Sequence, residues 1–314
     1  MKRREFFTAA GAAAAAATSL STPALAKDSA EGSSGEFSGK PFNLHYAPHF
    51  GMLENLAGGG LVEQLEFAAS VGFRDWEDNT MPRRPREQQD EIAAAMERLG
   101  IRMGVFVAYG LGSFGKISFT GSNKKLRDEA VEEIKGSVEL AKRVGAKWMT
   151  VVPGQYNQRL EEGFQTAKTV DLLRRCAEIL EPHDLVMVLE PLNWWANHPG
   201  LYLRETHQAY EVCRGVDSPS CKILFDIYHQ QIQEGNLIPN IEMAWDEIGY
   251  FQSGDNPGRK EPGTGEINYK NVFKFIHEKG FEGIIGMEHG VSKPGEEGER
   301  ALINAYREVD DFVS

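Results

Sequence analysis

From residue 41 to its end, the chain alternates without a break between short apolar runs and longer segments with helical apolar spacing. No other feature constrains the fold as much, because strands separated by helices pair in parallel. The strand-like runs lie at 42–47, 73–77, 101–108, 147–152, 185–189, 223–225, 249–252 and 283–287. Helical segments between them stop at Gly72, Gly100, Gly145 and Gly280, glycine being the usual residue just past a helix end. Thr206 reads as the N-cap of a helix running to Val216, and 296–312 as the last helix. Residues 185–189 are continuously apolar, as expected of a strand covered on both faces. Eight βα units in fewer than 290 residues predict an α/β fold, a single-domain (β/α)8 TIM barrel over 41–314. No Gly-x-Gly-x-x-Gly follows the first strand, which counts against a dinucleotide-binding sheet. Gly263-Thr264-Gly265 is too short to cradle a phosphate and reads as a turn.

Ahead of the barrel, Lys2-Arg3-Arg4-Glu5-Phe6-Phe7 is followed by an alanine run broken only by Gly11, and then by Ala24-Leu25-Ala26. This layout resembles a twin-arginine signal peptide over 1–26, which implies the twin-arginine export machinery as a partner and the periplasm as destination. Residues 27–40 are rich in Ser, Gly and Glu and read as a flexible linker. The net charge is −12, and the leader carries +2, so the remainder stands near −14. Such a surface repels phosphate backbones and argues against a nucleic-acid partner. No later stretch is apolar for ~18 residues, so no membrane partner is expected for the mature form. Cys176, Cys213 and Cys221 lack metal-site spacing and read as small buried groups, with a Cys213–Cys221 bridge left open. Homo-oligomerisation is left open as well.

The chemistry shows in the residues that end the late strands. These are Glu190, Asp226, Gln252 and Glu288, at intervals of 36, 26 and 36 residues, each about one βα unit. Strand ends of a barrel meet at one rim, where active sites form. Three carboxylates gathered there repel one another unless a cation neutralises them. Three carboxylates and an amide oxygen form a hard donor set that favours Mn²⁺ or Mg²⁺. His229, three residues after Asp226, and Arg259, seven after Gln252, are candidate substrate contacts. His45 and Glu77 are read at the same rim. Trp194 and Trp195 are read as lid packing or a ligand wall, and His198 is not assigned a place.

These residues stand in Leu189-Glu190-Pro191-Leu192-Asn193, Phe225-Asp226-Ile227-Tyr228-His229, Gln252 through Arg259, the run from Glu261 to Tyr269, and Met287-Glu288. Here the chain resembles the hydroxypyruvate isomerase family, within the xylose isomerase-like barrels. The resemblance implies a divalent metal at Glu190, Asp226, Gln252 and Glu288, with Glu190 and Glu288 as the catalytic acid/base pair. It also implies substrate binding by His229 and Arg259. The implied reaction interconverts a small ketose- or aldose-type compound, such as hydroxypyruvate and tartronate semialdehyde, through an enediolate. A ketose 3-epimerase or other sugar isomerase would use the same parts, although the epimerases usually carry His where Gln252 stands. A metal-dependent endonuclease and a non-catalytic exported binding protein are the remote alternatives. The 109–123 loop and the tryptophan pair depart from the family pattern, which bears on the substrate.

Overall fold

The computed structural model describes residues 37–312, apart from 111 and 113, all within one compact unit, Ser34–Ser314. The expected leader, and the linker as far as residue 36, lie outside the described residues. The linker's last residues lie against the barrel, where Phe37 packs edge-on against Phe67 with ring centroids 6.3 Å apart.

The strands are β1 (Tyr46–Ala47), β2 (Asp75–Trp76), β3 (Arg102–Met103), β4 (Val107–Tyr109), β5 (Trp148–Val151), β6 (Val186–Leu189), β7 (Cys221–Asp226), β8 (Ile248–Ser253) and β9 (Ile285–Met287). Seven form one parallel sheet in the order β1-β9-β8-β7-β6-β5-β4, while β2 and β3 pair in parallel with each other. Backbone bonds carry the ring across the remaining seams. Glu77 N–H donates to Pro48 O (2.9 Å), Gly104 N–H to Trp76 O (2.7 Å) and Thr150 N–H to Phe106 O (2.8 Å). The sheet therefore curls into the (β/α)8 barrel expected, with β3 and β4 sharing one of its eight positions.

Three expectations are corrected in detail. The strand read at 101–108 is interrupted, because Tyr250 crosses the interior beside it. A Cβ on Gly104 would lie 2.4 Å from the Tyr250 hydroxyl, and Val105 N–H points at that hydroxyl (3.4 Å) instead of at a neighbouring strand. The strand read at 42–47 is reduced to Tyr46–Ala47, because the Asn43 and Leu44 N–H groups donate to the Asp310 carboxylate (2.7 and 3.3 Å). Thr206 is the first residue of the helix Thr206–Val216 and not its cap, its N–H donating to the Glu234 carboxylate (2.7 Å).

Side chains alternate between two apolar clusters, as the period of a strand demands. Val186, Val188, Leu224, Tyr250 and Ile284 join Ala47 and Val105 in the floor of the barrel. Met187, Leu189, Ile223, Phe225, Phe251, Ile285 and Met287 face the surrounding helices. All three cysteines are buried free thiols, so no Cys213–Cys221 bridge is present. Among the described residues no helix is long and apolar enough to cross a membrane.

Candidate active site

The same alternation aims the chemistry. Glu190 follows Val188 by two residues, Asp226 follows Leu224, Gln252 follows Tyr250, and Glu288 follows Ile284 by four, so all four share the phase of the floor residues and point inward above them. Asp226 and Gln252 are register partners on β7 and β8, and Gln252 in turn is paired with Gly286 on β9. A cavity of about 180 Å³ opens above, lined among others by Glu190, Glu288, His229, Arg259, Thr150 and His198.

Each ligand candidate is fixed by its neighbours. Asp226 caps the helix Ile227–Gln233, its Oδ1 accepting from the N–H groups of Tyr228 (2.8 Å) and His229 (3.3 Å). That leaves Oδ2 for the site, where Arg259 Nη2 reaches it at 3.2 Å. Arg259 also donates to Glu288 Oε2 (2.7 Å) and, through Nε, to the Glu288 carbonyl (3.0 Å). The loop carrying Arg259 wraps around the buried Asp255 carboxylate, which accepts the N–H groups of Asn256, Gly263, Gly265 and Ile267 at 2.8–3.1 Å. Gly263-Thr264-Gly265 is thus a turn, as read from the sequence. Asn79 Nδ2 bridges Glu77 Oε1 (3.1 Å) and Glu288 Oε1 (3.2 Å).

Electrostatics favour a cation here. Burial pushes the Glu190 carboxyl well above the usual range, and Glu288 and Asp226 push it further. Burial raises Asp226 against the opposing pull of Arg259. Glu288 is pushed up to about 7, again mainly by burial. One guanidinium does not balance this set, and like charges in one cavity ionise together only when a further positive charge joins them. Gln252 supplies an independent sign. It is 1% exposed, and its Oε1 is a buried acceptor with no partner, which costs free energy unless a ligand fills the role. Three carboxylates and this orphaned oxygen fit a hard divalent ion. Glu190, Asp226 and His229 also offer ligand atoms within 4.8 Å of one another.

His229 is better placed as a donor. Asn193 Oδ1 accepts from the N–H groups of Ala196 (3.0 Å) and Asn197 (3.1 Å), so its Nδ2 must face His229 Nδ1 (2.6 Å). Nδ1 is then an acceptor, and Nε2 carries the proton toward the cavity. Burial lowers the ring's pKa well below the ordinary histidine value, and the positive charge of Arg259 adds to this, so the ring is neutral.

The structure places the four strand-end residues Glu190, Asp226, Gln252 and Glu288 at one rim of the barrel, with His229 and Arg259 beside them. His45 is a correction. It precedes β1, lies at the opposite end of the barrel and pairs with Asp75 (3.1 Å). Glu77 does sit at the rim end of β2, buried beneath the site. The tryptophans are now separated. Trp194 packs its loop, donating to Leu201 O (2.7 Å) under the Arg204 guanidinium, whereas Trp195 is exposed. Asn79, Thr150 and Asn193 are not singled out by the sequence, and His198, which the sequence leaves without a place, lines the cavity. Thr150 could have been singled out, because it lies two residues after Trp148 in the floor phase of β5.

The chain's likeness to known proteins agrees with this layout. The profile of the xylose isomerase-like TIM barrel family matches residues 65–309. Hydroxypyruvate isomerase of Escherichia coli is 33% identical over 196 residues, covering 62% of this chain and 74% of that protein. The 2-oxo-tetronate isomerase of Cupriavidus necator is 26% identical over 203 residues, covering 63% and 76%. Among solved structures, an AP endonuclease of family 2 from Brucella melitensis superposes with TM-score 0.70 at 22% identity, covering 81% of this chain and 96% of that one. The IOLI protein with a bound zinc atom gives TM-score 0.65 at 21%, covering 84% and 96%. At such identities these structures speak for the fold alone. The named relatives are isomerases, and so is this chain. It belongs to the xylose isomerase-like TIM barrel family, with its hydroxypyruvate isomerase members.

Proposed function

We propose that the protein is a metal-dependent isomerase of a short 2-oxo hydroxy compound, of the hydroxypyruvate type, with Glu190 and Glu288 as the acid/base pair. The observation that carries this reading is the set of three inward carboxylates with the orphaned Gln252 oxygen at one barrel mouth. A divalent ion held by Glu190, Asp226, Gln252 and Glu288, with Mn²⁺ or Mg²⁺ favoured, would supply Lewis-acid polarisation of adjacent carbonyl and hydroxyl oxygens. One glutamate takes the proton from the carbinol carbon, leaving an enediolate; the hydroxyl proton passes from the carbinol oxygen to the former carbonyl oxygen, and a proton returns at the neighbouring carbon. The His229 Nε2–H and the Arg259 guanidinium orient the substrate oxygens, and the neutral histidine donates without adding charge. A cavity of about 180 Å³ is below the ~300–1,000 Å³ of drug-sized sites and suits a molecule of a few carbons. The relatives' names point the same way, to hydroxypyruvate and 2-oxo-tetronate.

The test is an NMR time course of Mn²⁺-loaded protein with hydroxypyruvate, 2-oxo-tetronate and common ketoses. Interconversion of a short 2-oxo acid, abolished by chelation and restored by Mn²⁺, is expected. Turnover that ignores the chelator contradicts the reading.

Thr150 gives a separate prediction. It is 2% exposed, lines the cavity, and its Oγ1 has no partner. A hydroxyl left this way is held for a substrate oxygen at some cost in stability. Thr150→Val is expected to raise KM by about 2- to 10-fold, the worth of one neutral hydrogen bond, with kcat little changed. The thermal midpoint should stay level or rise. Steady-state kinetics and a melt check both.

We also infer periplasmic export from the twin-arginine layout of residues 1–26. Fractionation of cells expressing the full chain should find it in the periplasm. Replacing Arg3 and Arg4 together by lysine should retain it inside.

A further inference from the structure

Beneath the proposed ligands lies a carboxylate that the mechanism does not use. Glu77 is 1% exposed and reaches from the rim end of β2 into the interior as far as Tyr250 and Gln252 of β8. Its Oε1 accepts from Gln252 Nε2 (2.9 Å) and Asn79 Nδ2 (3.1 Å), and its Oε2 accepts from the Tyr250 hydroxyl (3.0 Å). Room for it exists only because residue 286 is glycine: a Cβ there would lie 1.9 Å from Glu77 Oε2 and 3.1 Å from Gln252 Cγ. Gly286 is also the register partner of Gln252 on β9.

A glutamine amide has two ends, and only the oxygen binds a cation. With Glu77 ionised, turning the Gln252 amide over would set its oxygen against Glu77 Oε1 at hydrogen-bond distance, acceptor against acceptor, and would present the NH₂ group to the site. We infer that Glu77 is a positioning residue which dictates that Gln252 presents its oxygen to the metal site. The inference rests on the reading of Gln252 as a ligand. Partners of this kind, one shell behind a ligand, typically change metal affinity by about 10- to 100-fold.

Titration of the metal-free full-length protein with Mn²⁺, followed by calorimetry or by the electron paramagnetic resonance of free Mn²⁺, tests it without reference to activity. Glu77→Gln should weaken Mn²⁺ binding by about 10- to 100-fold. The exchanged pair, Glu77→Gln with Gln252→Glu, restores a donor below and an oxygen above, and should recover most of that loss. In a Gln252→Ala background, Glu77→Gln should cost little more, because its route of action is gone. If Glu77→Gln does not fold, Glu77→Asp is read the same way, since it withdraws the acceptor by one methylene while keeping the charge. Wild-type affinity in the single variant, or an exchanged pair no better than Glu77→Gln, overturns the inference while leaving the metal site standing. Absence of Mn²⁺ binding by the wild type overturns the proposed function and this inference together.

Discussion

Glu288→Gln is expected to lower kcat by about 10²- to 10⁴-fold, and Glu190→Gln by a similar factor, because each removes one positioned proton-transfer group. Both side chains line the cavity, and they stand just past the ends of β6 and β9, which have two strands between them, so they approach a bound substrate from different sides. Neither substitution changes volume, and Asn79 can still donate to the amide oxygen at position 288. Kinetics at saturating Mn²⁺, with metal content measured in parallel, separates loss of proton transfer from loss of a ligand. The pair acts as a unit, so the double variant should be about as slow as the slower single one, and not slower by the product of both factors. Full turnover by either single variant contradicts the assignment.

The second large effect joins metal to pH. Glu288 is pushed up to about 7 from an ordinary 4.5, and burial raises Glu190 and Glu77 well above theirs. For an acid whose folded pKa is raised, the folded state holds more protons than the unfolded one between the two values. Its contribution to the metal-free protein is therefore fully present below about pH 4.5 and is lost as pH rises through the folded values, past about 7 for Glu288. Metal binding needs the ionised carboxylates, so it strengthens over the same interval. The metal-free protein should melt lower at pH 8 than at pH 5.5. Mn²⁺ at ~1,000 times its Kd contributes about 4 kcal/mol, a rise of roughly 10 °C at pH 8. That rise should shrink sharply at pH 5.5. Scanning fluorimetry with and without Mn²⁺ or a chelator checks it, and an equal rise at both pH values counts against carboxylate ligands.

The barrel and four of its inward polar residues were legible in the sequence because strand position and strand phase are both written there. Glu190, Asp226, Gln252 and Glu288 each extend the phase of a floor residue, and in a parallel barrel that phase decides which side chains share the interior. His45 was misjudged for the same reason. The strand read at 42–47 is shortened by the Asp310 carboxylate 267 positions away, so a residue expected at its rim end lies before its start. The 101–108 strand is broken by Tyr250, also remote in sequence. His198 and Asn193 belong to a loop whose path is set by its own hydrogen bonds, for which one sequence has no periodic signal. Glu77 was seen as a rim residue, but its role depends on a small residue at position 286, two strands away around the barrel.

The central claim is proton transfer at carbon by a glutamate pair working with a divalent metal. It is tested most directly by deuterium incorporation from D₂O into hydroxypyruvate, followed by NMR with Mn²⁺-loaded, chelated and Glu288→Gln protein. The account predicts that the loaded wild type catalyses exchange at the carbinol carbon above the uncatalysed rate. It also predicts that exchange is lost on chelation, returns with Mn²⁺, and falls by at least about 10²-fold in Glu288→Gln. Conversion without deuterium incorporation, or exchange that survives both chelation and the substitution, would contradict it.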